Sequence, residues 1–132
     1  MTGRSSLASP RADELIDAVA RFIETVAAPQ LSGHAAFHAR VAVNALRIVE
    51  RELRLAPQAD ARAADRLADL LGRHGSVDTL NRELCARIQA GEIDLATPGL
   101  LEHLKASVMD RLAIEQPGYG SYRLAMTFED HA

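Results

Sequence analysis

The chain has one cysteine, one lysine, no tryptophan and only 4% aromatic residues among its 132. Each scarcity removes a class of explanation. A lone Cys85 can form neither an intrachain disulfide nor a multi-cysteine zinc site, and it fits a reducing compartment. Few rings are available to stack on bases, and the formal net charge of -3 argues against a general nucleic-acid binder. No run approaches the ~20 consecutive apolar residues of a membrane span. The first nine residues, MTGRSSLAS, lack the apolar core of a secretory signal. The expectation is a cytoplasmic protein with no membrane and no nucleic-acid partner. Also missing are a Gly-rich phosphate loop, a GxSxG elbow, the kinase HRD and DFG signatures and a dinucleotide fingerprint. The chain is therefore not expected to be an enzyme by itself, and no cofactor is expected.

What is present is helical periodicity. A chain of this length suits one domain that buries about two-thirds of its unfolded surface. Residues 1–8 are small and polar and are expected to be disordered. Ser9 as N-cap with Pro10 at the first helical position opens a first helix, in which Leu15, Val19, Phe22, Ile23 and Val26 recur at helical spacing until Pro29 stops it. A second helix is predicted from Ser32 to about Leu55, ended by Pro57. It would be the longest element, about 35 Å. A third runs from about Ala59 to Arg73. A fourth follows Ser76, with Val77, Leu80, Leu84 and Ile88 in register and Gly91 at a left-handed C-cap. Thr97 and Pro98 open a fifth, carrying the stripe Leu100, Leu104, Val108 and Leu112. These elements imply an all-α antiparallel bundle of about five helices over residues 9–117, with an irregular, flexible tail over 118–132.

The second helix holds the chemistry. His34 and His38 stand four apart, a spacing that lets two imidazoles share a metal ion. A third ligand is required, and Glu52 is 14 residues beyond His38, about 21 Å along the axis. With no HExxH and no paired ExxH pattern, packing or a subunit contact explains these histidines better. Arg40, Arg47, Arg51 and Arg54 share a strip of the same helix, with Asn44 at its edge. Like charges three and four residues apart repel, so something acidic is expected to face them: a neighbouring helix, a partner protein, or a phosphate, to which the guanidinium fork is suited. Asn81 lies beside the apolar arc of the fourth helix. Asn44 and Asn81 are expected to be buried amides that fix helix register, or else to contact a ligand. Cys85 is expected to pack rather than react.

The segments FHARVAVNALRIVERE, LNRELCARIQAGEID and LLEHLKASVMDRLAIEQPGY resemble a family of small bacterial proteins of unassigned function. These accompany aminoglycoside-phosphotransferase-like kinases and acyl-CoA dehydrogenases in catabolic operons. The resemblance covers about residues 11–119. It rests on Phe37, His38, Arg40, Asn44, Asn81, Arg82, Cys85 and Arg87, and His34 is not matched. In the levulinate pathway such a protein is the accessory component of a kinase that phosphorylates a 4-hydroxyacyl-CoA. The resemblance implies a non-catalytic accessory subunit of such a kinase, with acyl-CoA close to the shared site. The binding or interface residues expected are His38, Arg40, Asn44, Arg47, Arg51, Arg54, Asn81, Arg82 and Arg87, and a homo-oligomer is compatible with the sequence. Two other readings stay open: a stand-alone binding module for acyl-CoA or another phosphorylated ligand, and a metal-dependent helical-bundle enzyme using His34 and His38.

Overall fold

A computed structural model describes residues 9–130; the expected disordered segment, residues 1–8, lies outside them. Five α-helices account for most of the described residues, which contain no strand: α1 (Ala12–Phe22), α2 (Gly33–Leu71), α3 (Val77–Gln89), α4 (Leu100–Glu115) and α5 (Gly120–Glu129). The all-α expectation holds, and so does the number of helices. Their boundaries differ in ways that have physical causes.

The helix expected to stop at Leu55 does not stop. α2 continues through Pro57 for 39 residues and absorbs the expected third helix. A proline removes one amide donor and crowds the carbonyl four residues back, which costs a helix about 3 kcal/mol but does not forbid it where flanking turns are strong helix formers. Alanine, leucine, arginine and glutamate surround Pro57. Proline at 29 acts differently. α1 widens into a π turn over Ile23–Ala27 and then tightens into a 3-10 turn over Ala28–Gln30, which contains Pro29. α1 also starts later than expected. Ser9 and Pro10 lie outside it, and the amide of Arg11 donates to the Glu14 carboxylate at 3.2 Å. Ser76 does cap α3, accepting from the Thr79 amide at 3.2 Å, and Gly91 closes it with φ +75°. Gly99, with φ +90°, precedes α4 two residues beyond the expected Thr97–Pro98 start. The tail expected to be irregular contains α5.

The chain divides into two compact units between Arg54 and Leu55, close to Pro57. The N-terminal unit is a hairpin of α1 and the first part of α2. Arg47 reaches Asp17, while Ala28 and Pro29, further along the first segment, line a groove with Ala36 and Arg40, earlier in α2, so the two helices run antiparallel. Among the described residues its buried side chains are small, Ala20 and Ala39. The C-terminal unit holds the larger core. Leu67 and Leu71 of α2, Leu80 and Leu84 of α3, Ile93 of the following turn and Leu100 of α4 form one cluster, with Leu70 and Val77 against it. α4 runs antiparallel to this part of α2, as the contacts of Arg62 with Asp110 and of Arg66 with His103 require. No described helix is long and apolar enough to cross a membrane.

Leu80 is wholly enclosed at the centre of this cluster. Replacing it with alanine leaves a cavity that its neighbours can only partly fill. The expected loss for Leu80→Ala is about 2–5 kcal/mol of unfolding free energy, read from the urea midpoint. Leu95→Ala, at a residue 75% exposed, should change it far less.

Candidate functional site

The arginines of α2 part company in the structure. Arg47 is half-buried and held by three carboxylates: Asp17 at 2.5 Å, Glu50 at 2.8 Å and Glu24 at 3.5 Å. The hydrogen bond from Arg47 pulls the Asp17 carboxyl below its ordinary range, with Arg21 adding a further attraction. The same hydrogen bonds raise the Arg47 guanidinium, so it stays charged. Arg54 pairs with Glu50 at 3.5 Å, and Arg51 also has an interaction. The acidic residues expected to face the strip are thus, for Arg47, those of the neighbouring helix.

Arg40 is the exception. It is exposed and makes no ion pair among the described residues. It lines an open groove with Asn44, Val43 and Ala36 of α2 and with Glu24, Ala28 and Pro29 of the π and 3-10 turns opposite. The groove encloses about 440 Å³. Glu24 on its wall belongs to the π turn, and such turns recur at functional sites. Asn44 is exposed here and does not fill the buried, register-setting role expected of it. Asn81 is exposed as well, since α3 buries Leu80 and Leu84 and turns Asn81 outward. His38 meets the ring of Phe37 edge-on at 5.6 Å, and both are exposed. Of the expected interface residues, Arg40 and Asn44 therefore share one groove.

The remaining expected residues lie in the C-terminal unit. Arg87 pairs with Glu83 at 2.8 Å and donates to the Leu71 carbonyl, an architectural role joining α3 to the end of α2. Arg73 also binds Glu83, and these two arginines hold that carboxyl below its ordinary range, Arg73 foremost. Arg82 and Cys85 are exposed, so Cys85 does not pack as expected. No three His, Cys, Asp or Glu side chains among the described residues are placed to hold a metal ion together, and His34 and His38 find no third ligand there.

The sequence reading missed a polar cluster on α4. His103 is only 3% exposed, and its Nδ1 accepts a hydrogen bond from Arg66 Nε at 3.1 Å. The neutral imidazole therefore carries its proton on Nε2. Burial, helped by the charge of Arg66, lowers the pKa of His103. Arg66 Nη2 is closed off from water without a hydrogen-bond partner among the described residues, and an Asp110 oxygen lies 3.9 Å from it. Asp110 also accepts from Arg62 at 3.3 Å. The signal was present as spacing. Leu100, His103, Ser107, Asp110 and Ile114 recur at intervals of three and four, but the middle three are polar. The i, i+4 stripe of Leu100, Leu104 and Val108 drew attention to a ridge that drifts into solvent, leaving Val108 57% exposed.

Because the folded pKa of His103 lies below its ordinary value near 6.5, the unfolded chain binds more protons as pH falls through that value, and stability falls with it. Urea midpoints at pH 7.5 and pH 5 should show this loss in the native chain. His103→Gln keeps an acceptor for Arg66 without titrating there, and its loss over the same interval should be smaller. Asp17 and Glu83, with their lowered carboxyl pKa values, stay ionised throughout and leave the comparison clean.

No curated protein and no solved structure shows a significant match to this chain. A family match does exist over residues 29–119, a stretch that includes the groove residues of α2 and every position from Phe37 to Arg87 on which the resemblance rests. The chain accordingly belongs to the family described as a domain of unknown function, DUF6285.

Proposed function

We propose that this chain is a non-catalytic accessory subunit of an aminoglycoside-phosphotransferase-like kinase acting on a hydroxyacyl-CoA in acyl-CoA catabolism. The resemblance of its motifs to that accessory family supports the kinase as partner. The observation that carries a contact role is the groove: Arg40 stands there without an ion pair among the described residues, while Arg47 on the same strip is neutralised by Asp17 of α1 and Glu50. A charged fork left open beside a groove is available to a carboxylate of a partner protein or to a phosphate. Phosphoryl transfer needs positioning and charge stabilisation above all, so a chain without its own phosphate loop can contribute by ordering the acyl-CoA side of a kinase that holds ATP and magnesium.

Co-expression with an aminoglycoside-phosphotransferase-like kinase from the same genome, followed by size-exclusion chromatography and a turnover assay, tests the partnership directly. Separate elution with unchanged turnover would refute it. Arg40→Ala then localises the contact. At an exposed site it should alter stability by less than ~0.5 kcal/mol. At a charged hydrogen bond it should weaken kinase association by about 1–3 kcal/mol. Unchanged association would place Arg40 outside the interface, and a large stability loss would make it structural.

The groove volume favours a second reading, a stand-alone binding module for acyl-CoA or a related phosphorylated ligand, because about 440 Å³ lies within the usual range of small-molecule sites. Glu24 on its wall disfavours an anion unless Arg47 continues to neutralise it. On this reading coenzyme A esters at ~100 Kd should stabilise the isolated chain by about 2.7 kcal/mol. A melting temperature unmoved by millimolar ester would dispose of it.

A further inference from the structure

The hairpin of the N-terminal unit has two unlike flanks. Its helices meet through Ile16, Ala20 and Ile23 of α1 and Ala39, Val43 and Leu46 of α2, all buried or half-buried. At about 100° per residue, Asp17 and Glu24 fall on one side of that seam with Arg47, as their ion pairs confirm. On the other side α1 presents Leu15, Val19, Phe22 and Val26, and α2, running the opposite way, presents Val49 and Leu53 toward the same side. These six are 43–58% exposed.

From this flank we infer that the hairpin pairs with a second copy of itself, two hairpins forming a four-helix arrangement about a two-fold axis. Helices must bury their apolar stripes against another element, and among the described residues this unit fully covers nothing larger than Ala20 and Ala39. The size of the face suits a homodimer. Its six side chains expose on the order of 500 Å² of apolar surface, and a standard interface takes about 800 Å² from each partner, roughly two-thirds of it apolar in homodimers. Charge permits the approach, because residues 9–54 contain six arginines and six carboxylates and two copies meet without net repulsion. Glu52, at the edge of the face, already has an interaction. Residues 1–8 are a poor alternative cover, with Met1 and Leu7 their only large apolar side chains. A two-fold contact uses the same patch twice, so both faces close at once. The Arg40 groove lies on the ionic side, away from this contact.

Sedimentation velocity of the full chain at micromolar concentration tests the inference. The expected mass is twice the 14.3 kDa of one chain. Phe22→Asp and Val49→Asp, both at exposed positions and checked for native helicity by circular dichroism, should each weaken dimerisation about tenfold or more, since each buries an unpaired charge. Phe128→Asp, at an exposed site on α5, should leave the dimer intact. Hydrogen exchange on the unaltered chain gives an independent reading: protection over residues 15–26 and 41–53 should fall on dilution. A native chain of 14.3 kDa overturns the inference, even if a different protein is later found on the face. So does a dimer that both aspartate variants leave intact, or one that Phe128→Asp breaks.

Discussion

The enclosure of Leu67 by Leu80 is the contact on which the C-terminal unit depends. Among the described residues these are the two large side chains that water does not reach at all. Everything around them is arranged to keep it out. The turn after α2 brings α3 back so that Leu80 and Leu84 face Leu67 and Leu71, and Arg87 ties α3 to the last carbonyl of α2. The Asp94–Thr97 turn, closed by reciprocal side-chain and backbone hydrogen bonds, then delivers Leu100 to the same cluster. The N-terminal unit has no counterpart to this core. Its helices meet through half-buried aliphatics around Ala20 and Ala39 and are fastened by the carboxylates around Arg47.

Much of this is legible in the residues alone. The caps at Ser76 and Gly91, the register of Leu80 and Leu84 and the helical character of the chain follow from local rules that act within a turn or two. The failures were tertiary. Pro57 reads as a terminator because its own chemistry opposes a helix, yet the flanking residues outweigh that cost. On α4 the most apolar stripe was not the buried one, because the partner face of α2 presents Arg66, and a guanidinium asks for His103 and Asp110 opposite it rather than for leucine. Of the site, the acidic counterparts of the arginine strip were anticipated without being located. Which arginine would remain open depended on the register of α1 against α2, and that lies in no local motif.

The two flanks of the N-terminal hairpin divide two tasks. One collects charge, satisfies most of it internally and leaves Arg40 beside a groove. The other is apolar and left uncovered. For the proposed roles this separation matters, since a guanidinium inside an apolar interface must be paired or it destabilises that interface.

The row Leu100, His103, Ser107, Asp110 and Ile114 carries a consequence for how α4 is positioned. A seam of leucines along this row would attract α2 almost equally well after a slide of one turn, because leucine meets leucine in either setting. With a buried imidazole and a carboxylate at fixed places, a slide sets Arg66 against Leu100 in one direction or the short Ser107 hydroxyl in the other. Either way His103 loses its donor. The polar residues thus act as an index mark along the helix. Family members that changed them to leucine would gain apolar contact and lose the means of telling one alignment from the next.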